Sequence, residues 1–260
     1  MGEVDILLKR AGLGRRAAVE FVGTLALVAV VVGSGIQAVR LTPDPGVELL
    51  VNALVTALGL GVLIALLGPV SGAHLNPVVT LASWWSGRRS EGGPRPVEVG
   101  AYTVAQTAGA IGGALLADGM FAGSTLRLSR QPHEGVHLWL GEVVATAGLV
   151  LLVVGLGRIG REALAPVLVA AYIGAAIWFT SSGSFANPAA TVGRAFTDSL
   201  TGIAPGSVLP FVVAQSVGAV LGLALVRLLF GREPERRSRV VIDADPCCPA
   251  PRSAPDNQAV

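Results

Sequence analysis

SGAHLNPVVT at residues 71–80 and GSFANPAAT at residues 183–191 are the two stretches that decide how this chain folds. Each sets an Asn-Pro pair inside an apolar run, at Asn76-Pro77 and Asn187-Pro188. Asn caps a helix N-terminus through its side-chain oxygen, and Pro fits the first helical position, where a missing N–H costs nothing. Both pairs therefore predict the start of a short helix. Interrupted apolar segments at matching places in two halves of a membrane protein point to a permeation or substrate site at the bilayer midplane.

Outward from these segments the composition agrees. Of 260 residues, 52% are hydrophobic and 14% charged, against about 25% charged in soluble domains, and the mean hydropathy is +0.65. A hydrocarbon core of roughly 30 Å takes about 20 helical residues to cross. Residues 17–39, 47–67, 97–121, 138–157, 163–181 and 208–230 meet that length. Residues 76–85 and 187–196 are too short and predict re-entrant half-helices, tolerated only where protein or water covers their ends. The fold class is an all-α membrane protein, six transmembrane helices and two half-helices.

The halves repeat in order. Glu20 in VEFVGT answers Glu142 in GEVVAT, and AQTAGAIGGALL around Gln106 answers AQSVGAVLGLALV around Gln215. Three spans per half make the second copy enter from the opposite face, an inverted repeat. The divisions are 1–16, a cytoplasmic N-terminal segment; 17–121, the first repeat; 122–137, an outer connecting loop; 138–230, the second repeat; and 231–260, a polar tail without apolar period, expected to be disordered. Lys9, Arg10, Arg15, Arg16, Arg88, Arg89, Arg95, Arg158, Arg161 and the arginines of the tail fall on one side. The positive-inside rule then places both termini in the cytoplasm of a bacterial-type plasma membrane.

Other function classes find little support. The net charge of +2 comes without a basic, aromatic-interleaved stripe for nucleic acid. No nucleophile–base set, phosphate loop or metal-ligand spacing is present, so neither an enzyme nor a cofactor is expected. The two cysteines, Cys247 and Cys248, are adjacent and offer no disulfide framework. A coupled secondary transporter, which also uses inverted repeats and broken helices, is the alternative to a passive channel; it would display an unpaired midplane ion site.

The two boxes with their flanking Glu and Ala-Gln pairs resemble the major intrinsic protein family, the aquaporins and aquaglyceroporins. The resemblance covers about residues 17–230, with Asn76-Pro77-Val78 in place of the usual first Asn-Pro-Ala and an intact Asn187-Pro188-Ala189. It implies an aquaporin-like fold, a homotetramer in the lipid bilayer, and passive conduction of water and small neutral solutes while ions and protons are excluded. It implies that the two Asn amides turn NH2 donors into the pore, and that carbonyls of Gly72, Ala73, His74, Gly183 and Phe185 form a ladder of acceptors. Glu20 and Glu142 are expected to brace the re-entrant loops and Gln106 and Gln215 to hold helices together.

One departure stands out. Most members carry Arg three residues after the second Asn, and here Ala190 stands there. Counting without gaps from the Asn anchors gives Thr56, Ala175 and Ser184 as the other filter positions, all small. This resembles a bacterial subgroup linked to arsenic resistance, and implies a wide pore passing glycerol-type polyols and arsenous acid. Arg194, seven residues after Asn187 on the same helix face, either hangs over the outer vestibule or snorkels to the interface.

Overall fold

The protein is described by a computed structural model over residues 11–88, 93–123 and 127–231. Of the tail expected to be disordered, 231–260, all but Gly231 lies outside the described part, as do the pair Cys247 and Cys248 and the first ten residues. Among the described residues there are eight α-helices and one 3-10 turn: α1 Leu13–Leu41, α2 Pro45–Ser71, α3 Pro77–Gly87, α4 Pro96–Met120, α5 Val136–Arg158, the turn Glu162–Leu164, α6 Ala165–Phe179, α7 Pro188–Arg194 and α8 Pro205–Phe230.

Six of these segments are long and apolar enough to cross a membrane. α6 alone has 15 residues, about 22 Å of helix at 1.5 Å per residue, and the 3-10 turn ahead of it extends the segment to 18 residues. α3 and α7, with 11 and 7 residues, reach only partway, as their sequences predict. Local chemistry sets several starts. Asp44 caps α2 by accepting from the Gly46 and Val47 amides, with Pro45 in the first turn.

α2 has apolar side chains all round, as a helix buried in lipid and protein does. Leu54, Leu58, Val62 and Leu66, spaced four apart, form an exposed stripe suited to acyl chains, while Asn52, Thr56 and Leu60 are buried on the inner side.

Packing follows the repeat. α1 lies along α4, and α5 along α8. Gly109 and Gly113 let α4 touch the backbone of α1: a Cβ there would stand 2.3 Å from the Phe21 and Leu25 carbonyl oxygens respectively. Gly218 and Gly222 do the same for α8, where a Cβ would meet Val143 O at 2.5 Å and Ala147 O at 2.6 Å. Small residues at a four-residue spacing are how helices approach where lipid supplies no hydrophobic drive.

Candidate functional site: a central cavity and two laced loops

A cavity of about 1370 Å³ runs through the molecule, from Arg16, Gly68 and Glu162 near one face to His133, Arg194 and Thr201 near the other. Asn76 and Asn187 line it between those ends. Each Asn caps its half-helix as the sequence predicts: Asn76 Oδ1 accepts from the Val78 amide at 3.0 Å, and Asn187 Oδ1 from the Ala189 and Ala190 amides at 3.0 and 3.2 Å.

The Asn amides differ from expectation in one respect. Asn76 Nδ2 donates to the Ala186 carbonyl at 2.7 Å and Asn187 Nδ2 to the Leu75 carbonyl at 2.8 Å. Each NH2 thus spends one hydrogen lacing its loop to the opposite one and keeps one for the cavity. The rest of each box faces away from the lumen. Val78 packs with Val150, Val154 and Val226, and Ala189 with Val28, Val32 and Ala110. Valine in place of alanine therefore leaves the cavity wall unchanged.

The loops ahead of the boxes share an unusual backbone. Gly72, Ala73 and Leu75 have positive φ in the first, and Gly183, Ser184 and Ala186 at the matching positions of the second. A left-handed non-glycine residue costs roughly 1–2 kcal/mol, so something must hold these conformations. Glu20 accepts from the Ser71 hydroxyl and the His74 amide on Oε1, and from the Leu75 amide and Gln106 Nε2 on Oε2, at 2.7–3.0 Å. Glu142 accepts from the Phe185 and Ala186 amides and from Gln215 Nε2, at 2.7–2.9 Å. Gln106 and Gln215 go on to Thr80 and Thr191 of the half-helices.

These carboxylates also orient carbonyls. In a trans peptide the N–H and the preceding C=O point in opposite directions. The amides of His74, Leu75, Phe185 and Ala186 are drawn to the two glutamates, so the carbonyls of Ala73, His74, Ser184 and Phe185 point away from them. All four residues line the cavity, with Gly72 and Gly183 beside them. The His74 ring turns back, with Nδ1 3.2 Å from Thr80 Oγ1 and its edge against Tyr102. Glu20, Glu142, Gln106 and Gln215 are fully buried and none is on the cavity wall, so among the described residues these four give the coupled-transporter alternative no midplane ion site.

Of the four counted filter positions, Thr56, Ser184 and Ala190 line the cavity and Ala175 does not. Ala175 is exposed on the outside of α6, and Val169, Ile173 and Ile177 form the lumen face instead. Gap-free counting assumed a loop of ordinary length between α6 and Asn187. At 100° per residue, Ala175 lies about 200° round the helix from either isoleucine. The 3.6-residue period of 169, 173 and 177 was the available signal. The hydroxyls of Thr56 and Ser184 are buried and have no hydrogen-bond partner in the protein.

Arg194 sits in the vestibule at the end of the cavity that holds His133 and Thr201, rather than at the lipid interface. It lines the cavity, its Nε donates to the Thr201 carbonyl, and its guanidinium carbon lies 3.4 Å from the centre of the Phe185 ring. His133, a residue that sequence reasoning missed, reaches the same place from the loop between the repeats. Its ring stands edge-on to Phe185 at 5.5 Å and Phe211 at 5.6 Å. Burial pushes its imidazole below the usual range, opposed by the hydrogen bond to the Gln131 carbonyl and helped by the charge of Arg194. No local signal marks this histidine, because a fold-back of the connecting loop places it.

The comparisons agree with this architecture. A family model described as major intrinsic protein matches residues 8–181. Aquaglyceroporin AqpS of Rhizobium meliloti is 47% identical over 217 residues, covering 84% of this chain and 91% of that protein. Aquaporin AqpM of Methanothermobacter marburgensis is 31% identical over 239 residues, covering 80% and 94%. In fold the chain is similar to the X-ray structure of the aquaglyceroporin from Plasmodium falciparum, with a TM-score of 0.65 at 21% identity over 82% of this chain and 95% of that one. With its paired Asn-Pro caps, its glutamate-braced loops and a family match across well over half its length, the chain belongs to the major intrinsic protein family.

Proposed function

We propose that this protein conducts neutral, hydroxyl-bearing solutes of glycerol size, glycerol and arsenous acid among them, as well as water. The broader class is given by its family: it is a multi-pass integral membrane protein and a passive channel for water and small solutes, not an enzyme.

The observation that carries the finer reading is the pair of unpartnered hydroxyls. Thr56 Oγ1 and Ser184 Oγ are buried without protein partners, on a wall shared with Ile173, Ile177 and Ala190. A buried hydroxyl left unpaired costs free energy, and both residues line the cavity, so a turn of either side chain toward it would let the hydroxyl bond a solute or water. Methyl-bearing neighbours accept the carbon face of a polyol, and no guanidinium or aromatic ring stands at position 190. The cavity-facing carbonyls of Ala73, His74, Ser184 and Phe185 accept the solute's hydroxyl protons in turn. Cations are turned back where the half-helix N-termini meet, each end carrying about half a positive charge.

Both termini face the cytoplasm in this reading, supported by the positive-inside rule and by Arg16, Arg95 and Arg158. The assembly is a homotetramer, as the family resemblance implies. A stopped-flow panel on proteoliposomes with water, glycerol, urea and arsenous acid tests the selectivity. Water flux with glycerol and arsenous acid excluded would overturn it.

A further inference from the structure

We infer that Arg194, His133 and Phe185 form a second selectivity station, outward of the open section at Thr56, Ser184 and Ala190, that reads hydroxyl groups and repels cations. The inference rests on the channel reading above. Arg194 follows Ala190 by four residues on α7, so it lies on the same face about 6 Å further along the axis.

Three elements converge to fix it. From α7, Arg194 Nε donates to the Thr201 carbonyl, and its own carbonyl accepts from the Ile203 amide at 3.2 Å. From the loop between α6 and α7, Phe185 sets its ring centre 3.4 Å from the guanidinium carbon and is backed edge-on by Phe211 at 5.2 Å. From the connecting loop, the His133 amide donates to Ser207 Oγ at 3.1 Å, which ties the histidine to α8. A planar cation held over an aromatic face and anchored at one nitrogen is positioned rather than mobile.

Two features make the group a reader of solute. First, Arg194 has no ion-pair partner: the ion pairs among the described residues are those of Glu98 with Arg16 and Arg95. Its hydrogen bond to protein uses Nε, which leaves the two terminal nitrogens as donors on the cavity side. Second, His133 Nδ1 lies 3.1 Å from the Gln131 carbonyl. A carbonyl can only accept, so Nδ1 carries the proton and Nε2 is left as an acceptor. A donor cation and a neutral acceptor at one mouth match a hydroxyl group, which accepts with its lone pair and donates its hydrogen. An inorganic cation meets a positive charge without an ion-pair partner there instead.

The test uses the full-length protein in proteoliposomes, with Arg194→Gln and His133→Gln beside the wild type, each checked for folding by helical circular dichroism. Glycerol, water and sodium fluxes are measured in matched vesicles. Arg194→Gln should raise sodium leak and change the glycerol-to-water ratio by about tenfold, the factor one charge-assisted hydrogen bond is worth. His133→Gln should change the ratio while leaving sodium exclusion intact, because Arg194 remains. Folded variants with wild-type ratios and no added leak would overturn the outer station yet leave the channel reading standing. If Arg194→Gln does not fold, an unchanged ratio in His133→Gln overturns it alone. A wild type that conducts neither water nor glycerol would overturn the channel reading and this inference with it.

Discussion

Replacing Glu142 by glutamine keeps the length and shape of the side chain and takes away one acceptor. In the native protein Oε2 serves the Ala186 amide and Gln215 Nε2, and Oε1 serves the Phe185 amide at 2.9 Å. A glutamine can place its oxygen where Oε2 stands and keep two of the three bonds. Its NH2 then faces the Phe185 N–H, donor against donor, in a site closed to water. Losing a hydrogen bond to a charged group costs about 1.5–3 kcal/mol, and stranding a buried amide adds about 1–3 more, so about 3 kcal/mol is a fair total. For a chain of this size that corresponds to a fall in Tm of about 6–12 °C. Thermal unfolding in detergent, followed by tryptophan fluorescence, measures it, and stopped-flow water permeability across pH 6–8 follows function. Glu142 is off the cavity wall, so the folded variant should conduct with the pH profile of the wild type. A Tm unchanged within 1–2 °C, a span smaller than the loss of one such bond, would refute the bracing role. Loss of pH sensitivity in a well-folded variant would instead make Glu142 a proton relay.

Asn76→Asp and Asn187→Asp keep the cap oxygen but lose the Nδ2 bond to the opposite loop; both should assemble poorly and leak protons, read by vesicle pH dyes, and wild-type flux without leak would clear that Asn of its place in the pore. Gly113→Val should fail to assemble, because a Cβ there already meets the Leu25 carbonyl at 2.3 Å; normal membrane yield would contradict the α1–α4 contact. Ala190→Arg should lower the glycerol-to-water permeability ratio by narrowing the open section with five donors, and an unchanged ratio would mean that position 190 does not face solute. Because His133 titrates below its ordinary value of about 6.5, it stays neutral at pH 7. Glycerol flux should then be flat from pH 8 to 7 and fall only in acid, where a second positive charge joins Arg194. A midpoint above pH 7, or an acid loss that survives in His133→Gln, would remove His133 from that role.

The parts that were legible in the sequence are those governed by neighbours along the chain. Asn before Pro announces a capped helix because the cap bond reaches only two or three residues, and Asn76 and Asn187 behave accordingly. Glu20 with Glu142 and Gln106 with Gln215 were legible through the repeat, since two copies of one solution repeat their bracing groups. Counting breaks down where a loop length intervenes: Ala175 was placed by distance from Asn187, and the helix face runs instead through Ile173 and Ile177. His133 was beyond reach for a different reason. Its place depends on the connecting loop folding back onto Phe185 and Phe211, a tertiary event that leaves no period or cap behind. Arg194 lay between these cases, with its helix face readable from Asn187 but its partners, Thr201 and Phe185, not.

The buried glutamates connect the least accessible part of the molecule to what the solute meets. Water leaving bulk needs acceptors at closely spaced positions, and an ordinary helix or strand spends its carbonyls on itself. The loops ahead of Asn76 and Asn187 avoid this by alternating left-handed residues, a conformation that L-residues such as Ala73, Leu75, Ser184 and Ala186 adopt at a cost. Left alone, such a loop would collapse into a turn and satisfy its carbonyls internally. A carboxylate behind it removes that option by claiming two successive amides, and the trans peptide then leaves the preceding carbonyls facing the other way. The Asn amides complete the arrangement, since each laces its loop to the carbonyl just before the opposite cap. The two carboxylate charges are therefore kept off the lumen wall: each glutamate acts on solute only through the peptide planes it turns. On this reading the acceptor ladder depends on Glu20 and Glu142 for geometry rather than for chemistry, which is why their removal should be felt in folding before it is felt in flux.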